Sequence, residues 1–208
     1  MKTFIRVACR ERSVHTLGPG NRYCLWVQGC PRRCPGCVSP TDQPLDGGYQ
    51  MSIQALAAEI ALSKPDGITI SGGEPFLQAA ALAEMLVYMK EAFSFDPGVI
   101  VYTGYCFEEL KEVPGADALL AQTDLLIDGP YIQELDDGRS LRGSSNQRII
   151  PLTDRYANPE ILALYGAEGR SAEYFWHGNS VNCVGVVNHL QNPDAPLAHF
   201  PVQPVAPS

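Results

Sequence analysis

Short apolar runs alternate with turn-forming residues along most of this chain. Residues 4 to 9 read as a short strand, and Gly18-Pro19-Gly20 supplies turn material in the loop from His15 to Asn21. Tyr23-Cys24-Leu25-Trp26-Val27 is continuously apolar and aromatic, the mark of a buried strand, with Cys24 as a small core side chain. Residues 39 to 50, rich in Pro, Gly and Asp, read as a loop or flap. Ser52 is placed to cap a helix running through Lys64, with Ile53, Leu56, Ala57 and Ile60 on its apolar face. Pro65-Asp66-Gly67 closes that helix, and Ile68-Thr69-Ile70-Ser71 predicts the next strand.

The pattern then repeats. A long helix is predicted from about Leu77 to Ala92, burying Leu82, Met85, Leu86 and Met89. Val99 to Tyr102 predicts a strand that exits through Thr103-Gly104-Tyr105, and Phe107 to Glu112 a short helix. Asp124 to Asp128 predicts another strand, exiting at Gly129-Pro130. Residues 133 to 145 are polar and turn-rich, and Gln147 to Ile150 read as a late strand. Asn158 and Pro159 start a short helix that Gly166 ends. Residues 173 to 187 alternate and carry Tyr174, Phe175 and Trp176, predicting a hairpin turned at residues 177 to 180. Strands alternating with helices imply right-handed βαβ units and a mainly parallel α/β sheet, with too few units for an eight-stranded barrel. We expect a core over residues 1–150, an extension over 151–191 packed on it, and a loosely ordered, proline-rich tail over 192–208.

Charge and composition narrow the function classes. A chain of 208 residues with net charge −8 lacks the basic footprint of a nucleic-acid binder. No apolar run approaches a membrane span. The N-terminal residues carry no apolar stretch with a cleavage site, so a cytoplasmic location is expected. Seven cysteines, an odd number with three clustered, argue against a disulfide framework and for a metal centre in a reducing compartment.

That cluster is Cys30-Pro31-Arg32-Arg33-Cys34-Pro35-Gly36-Cys37, a C-x3-C-x2-C array. Pro31, Pro35 and Gly36 suit the tight turns of a loop wrapped around a metal group. Three thiolates can hold three corners of a cubane iron–sulfur cluster, leaving one iron open. Zinc with a distant fourth ligand is the alternative, since a structural zinc site usually takes four protein ligands. His15, His177, His189 and His199 show no metal-ligand spacing and read as surface or packing residues.

The cysteine triplet resembles the [4Fe-4S] signature of the radical S-adenosylmethionine (SAM) superfamily, and Ser71-Gly72-Gly73-Glu74-Pro75 resembles its glycine-rich SAM-amine motif. A third stretch is similar to the small activating enzymes of anaerobic (class III) ribonucleotide reductase. It comprises Asp128-Gly129-Pro130-Tyr131 followed by residues 141 to 148, Leu-Arg-Gly-Ser-Ser-Asn-Gln-Arg. Together these cover roughly residues 15 to 150. The resemblance implies a shortened, open (β/α) barrel with a [4Fe-4S] cluster on Cys30, Cys34 and Cys37. SAM would be chelated at the open iron and cleaved by one electron to a 5′-deoxyadenosyl radical.

It further implies hydrogen abstraction from a backbone glycine of a glycyl-radical enzyme, with flavodoxin or ferredoxin as electron donor. Gly72 and Gly73 would let backbone approach the methionine moiety, and Glu74 would accept from its ammonium. Thr103, Asp128, Asn146 and Arg148, with Gln147, are candidate SAM contacts, or else groups that hold the barrel mouth together. Gly36 stands where many such loops carry an aromatic residue, which removes one contact to the adenine. Two other readings share these residues. One is a radical SAM enzyme acting on a peptide or small molecule; the other is a non-catalytic iron–sulfur or zinc protein.

Overall fold

The computed structural model describes residues 3–160, 162–163, 169–178 and 180–186. The tail from residue 192, His189, His199, the end of the helix expected from Asn158 and the last residue of the expected hairpin lie outside them.

Seven strands form one sheet: β1 (Phe4–Val14), β2 (Arg22–Val27), β3 (Tyr49–Ser52), β4 (Gly67–Gly72), β5 (Gly98–Tyr102), β6 (Leu125–Asp128) and β7 (Arg148–Pro151). Their order is β3-β1-β2-β4-β5-β6-β7, an open sheet with β3 and β7 at its edges. The four central strands β2, β4, β5 and β6 run parallel, as the βαβ pattern predicts. The margins are antiparallel: β1 pairs with both β2 and β3, and β7 with β6. Strand β1 is longer than predicted because irregular register lets it continue along β2 past Cys9. Strand β3 begins at the end of the expected flap and runs past it to Ser52, with residues 49–52 pairing with residues 4–7 of β1.

Helices α1 (Ile53–Ser63), α2 (Ala79–Phe93) and α3 (Ala116–Leu120) are the crossover elements. The Ser52 hydroxyl accepts from the Ala55 N–H at 3.2 Å and caps α1, a contact worth about 1 kcal/mol. Lys64 in the left-handed region ends it. The long helix expected from Leu77 is split. A 3-10 turn over Pro75–Gln78 precedes α2, held because the Glu74 carboxylate accepts from the Phe76 N–H. The segment over Phe107–Glu112 is likewise 3-10. No helix among the described residues is long and apolar enough to cross a membrane.

Each sheet face has its own cover. Tyr23, Leu25 and Val27 of β2, Ile68 and Ile70 of β4, and Val99 and Val101 of β5 pack with α1 and α2 in the main core. Burying each Ile or Leu there contributes roughly 1.5–3 kcal/mol. Cys24 and Trp26 look the other way, onto a two-stranded hairpin of β8 (Glu173–His177) and β9 (Ser180–Val184). Ile100, Leu125 and Ile127 meet Tyr156 and Leu162 on that same side. At the N-terminal end of the parallel strands sits Arg22, fully buried. Its donors reach Thr69 Oγ1, the Tyr156 hydroxyl and the carbonyls of Pro19, Ile68 and Gly98.

Candidate functional site

The three clustered cysteines lie on the loop that leaves β2, at the C-terminal end of the parallel strands, where open α/β sheets place ligands. Backbone bonds stitch this loop down. Gly29 N–H donates to Asp42 O at 2.7 Å and Cys30 N–H to Gln43 O at 2.9 Å. The Gln28 side chain donates to the carbonyls of Thr41 and Pro44. The reversals come at Gly29, Arg33 and Gly36, all with positive φ. Cys30, Cys34 and Cys37 are half-buried free thiols. Burial pushes the Cys30 thiol up, while the N–H groups of Arg32 and Arg33 bond its sulfur and favour the thiolate.

Three thiols on one short loop are a donor set that suits a cubane cluster with one iron left open. Among the described residues, no three His, Cys, Asp or Glu side chains gather closely enough to hold one metal ion. A cubane spreads its thiolates over separate irons instead.

The Gly-Gly-Glu-Pro stretch leaves β4 beside this loop and is joined to it by backbone. Gly73 N–H donates to Val27 O at 2.7 Å and Glu74 N–H to Gly29 O at 2.8 Å. That contact explains the glycine at 73. A Cβ there would lie 2.3 Å from Gly29 O and 2.9 Å from Asp42 O. Gly72, at φ +100°, abuts the backbone of Val27. Both glycines are therefore required by the chain's own packing at this junction.

Glu74 is buried, with 1% of its surface exposed. Oε1 accepts from Phe76 N–H at 3.1 Å and from the Thr103 hydroxyl at 2.8 Å; Oε2 accepts from Gly104 N–H at 2.8 Å. Burial raises its pKa against those three donors. The carboxylate thus ties the exits of β4 and β5 together and retains acceptor capacity on Oε2. Thr103 is one of its donors and also accepts from Tyr105 N–H.

Arg32, on the cysteine loop, crosses this junction. Its guanidinium lies 4.3 Å from the centre of the Tyr105 ring and 3.4 Å from Glu109 Oε2. A Cβ at residue 104 would come 2.4 Å from Arg32 Cδ, so Gly104 makes room for the crossing. The Arg32 Nε is buried with no partner. Tyr105 and Glu109 also line an open groove of about 870 Å³ with Phe76, Leu77 and Val113. No local pattern marks this constellation, because its members come from separate loops.

The remaining candidates lie at the β6–β7 margin. Arg148 pairs with both oxygens of buried Asp128 and reaches Glu108 at 2.8 Å, while Phe107 N–H donates to Asp128 Oδ2 at 2.7 Å. Asn146 donates to Pro130 O at 2.8 Å, leaving a buried Oδ1 without a partner. Gln147 accepts from Gly143 and Ser144 and donates to Gly129 O. These contacts hold the loops after β5 and β6 together. Arg170, unremarkable in the sequence, pairs with Asp136 and bonds the carbonyls of Arg142 and Gly143 from a buried position.

Comparison with known proteins matches residues 16–150 to the family described as "4Fe-4S single cluster domain". Three similar relatives are named "anaerobic ribonucleoside-triphosphate reductase-activating protein". The one from Enterobacteria phage T4 is 30% identical over 142 residues, 66% of this chain and 88% of its own. That from Vibrio cholerae is 35% identical over 144 residues, 65% of this chain and 91% of its own. That from Escherichia coli K12 is 34% identical over 144 residues, 64% of this chain and 89% of its own. Among solved structures, QueE from Escherichia coli overlaps 49% of this chain and 52% of its own, with TM-score 0.40 and 15% identity.

Proposed function

Because the chain belongs to the family of anaerobic ribonucleoside-triphosphate reductase-activating proteins and carries its 4Fe-4S single cluster domain, we propose that it activates a glycyl-radical ribonucleotide reductase by radical SAM chemistry. When bound, the cluster supplies one electron to the SAM sulfonium, giving methionine and a 5′-deoxyadenosyl radical that takes a hydrogen atom from a backbone glycine of the partner.

The chain's own residues bind and orient. Cys30, Cys34 and Cys37 would hold the cluster, which leaves an iron open for the amino and carboxylate groups of SAM. Glu74, positioned by Thr103 and Gly104, offers its remaining Oε2 acceptor site to the ammonium. Gly72 and Gly73 keep the β4 exit close to the cysteine loop. Asp128, Asn146 and Arg148 set the opposite rim. The open sheet is read as a shortened (β/α) barrel over residues 1–150, followed by an extension. A flavodoxin or ferredoxin is the electron donor we expect, in a reducing cytoplasm.

The observation that carries this reading is the junction of the two motifs. A three-thiol loop and a Gly-Gly-Glu-Pro turn are joined backbone to backbone through Gly29 and Glu74 at 2.8 Å. The test is anaerobic reconstitution, reduction with dithionite, addition of SAM and quantification of 5′-deoxyadenosine. Wild type is expected to form it, and Cys34→Ala to lose both cluster iron and product. Addition of the reductase is expected to give a glycyl-radical EPR signal. A fully loaded, reduced protein that forms no 5′-deoxyadenosine, with or without reductase, would overturn the proposal. Product without any radical in the reductase would favour a peptide or small-molecule substrate.

A further inference from the structure

The sheet face turned away from α1 and α2 is covered by residues beyond 150, outside the span matched to the family. Hairpin β8–β9 covers the β1–β2 side of it. Phe175 and Val184 pack there with Val14, Leu17, Cys24 and Trp26. Trp26 lies in the strand that runs directly into the cysteine loop.

Polar contacts fasten the hairpin at both ends. The Glu173 carboxylate accepts from His15 N–H at 2.7 Å and Thr16 N–H at 2.9 Å. At the turn, His177 Nε2 stands 2.9 Å from the buried carboxylate of Glu11. Between them the Asn182 amide donates to Cys9 Sγ at 3.6 Å. Alternation in β8 directs Glu173 and Phe175 to the sheet, and half-exposed His177 reaches Glu11 from the end of the strand, while Tyr174 and Trp176 are exposed. The inward register is thus committed to fastening.

We propose that this hairpin is a shield, latched to β1 by Glu11–His177 and to the following loop by Glu173. It keeps small hydrogen-atom donors away from the β1–β2 side of the sheet face below the cysteine loop, so that SAM cleavage is coupled to the partner's glycine. The inference rests on the functional reading above. The physical reason is that a primary carbon radical takes hydrogen from any accessible donor, and a closed site excludes such side reactions. In the uncoupled event it takes the hydrogen of a small thiol. The S–H bond breaks, a C–H bond forms, and 5′-deoxyadenosine and a thiyl radical result. One SAM and one electron from the reductant are consumed, and no glycyl radical forms.

The test uses the full-length, cluster-loaded protein with the reductase in D2O with dithionite, SAM and dithiothreitol, whose thiols then carry deuterium. Two variants loosen the latch by different means: Glu11→Gln with His177→Ala, and Phe175→Ala. Amide exchange over residues 173–184 is expected to rise about tenfold, with β2 and β4 unchanged. Deuterium in 5′-deoxyadenosine is expected to rise several-fold, and glycyl radical per 5′-deoxyadenosine to fall. Faster exchange with unchanged deuterium content and unchanged coupling would overturn the shield. Unchanged exchange in both variants would overturn the latch. If wild type forms no 5′-deoxyadenosine with a full cluster, the functional reading itself fails, and the shield with it. The exchange measurement tells that failure from a failed latch.

Discussion

The two ends of the parallel strands each bury a charged side chain, and they satisfy it differently. At the N-terminal end, Arg22 has every guanidinium donor engaged, with two hydroxyls and three carbonyls accepting. At the C-terminal end, Glu74 has three donors and acceptor capacity left on Oε2. Beside it Arg32 buries an Nε that bonds nothing. A saturated network stiffens a fold, whereas an incompletely satisfied one carries a cost that a ligand can relieve. The saturated end closes the bottom of the sheet, and the unsaturated end borders the cysteine loop.

Three substitutions sharpen or break that contrast. The largest effect is expected from Arg22→Met, which takes buried donors from the carbonyls of Ile68 and Gly98 and from the Thr69 hydroxyl, which keeps only its bond to Leu17 O. It should cost about 2–4 kcal/mol in urea unfolding while leaving the KM for SAM near wild type. A shifted KM with unchanged stability would break the assignment of the two ends. Glu74→Gln is expected to cost less stability, about 1–3 kcal/mol, because an amide cannot accept on both sides. It should raise the KM for SAM as well, since the acceptor proposed for the ammonium is weakened. Stability lost without any change in KM would make Glu74 a loop tie alone.

The smallest effect concerns Asp42, whose carbonyl anchors Gly29. Burial pushes its carboxyl up from 3.8 to about 6. The fold therefore favours the neutral acid. That contribution is complete below the unfolded pKa and is lost as pH rises through about 6. Asp42→Asn removes the penalty of the buried anion. It should be more stable than wild type by about 1–2 kcal/mol at pH 8, with the gain vanishing toward pH 4. Equal gains at both pH values would show that packing, and not charge, sets the effect.

Much of the central sheet was legible because its signals are local. Ile68-Thr69-Ile70 and Val99-Ile100-Val101 are continuous apolar runs, and such runs mark strands buried on both faces. The cap at Ser52 is a contact between residues three apart. The split before α2 was not legible. Leu77 fits a helical period, and only the Glu74 side chain turning onto Phe76 N–H sets the 3-10 turn. Strand β3 was hidden for a different reason. Residues 49–52 have weak strand character, and they become a strand because β1 offers an edge.

The candidate site divides in the same way. Residue types and spacing determined the donor chemistry: three thiols on one loop, and a glycine pair followed by a glutamate. The tertiary structure alone decided that Gly73 packs on Gly29, that Thr103 and Gly104 orient Glu74, and that Arg32 lies across Gly104 onto Tyr105. It alone decided that Arg22 is buried and that β8–β9 covers Cys24 and Trp26. Motif chemistry is written in short sequence separations, where covalent geometry fixes the neighbours. Burial, hydrogen-bond partners and the covering of a sheet face depend on residues far apart in the chain, and those neighbours exist only once the chain has folded.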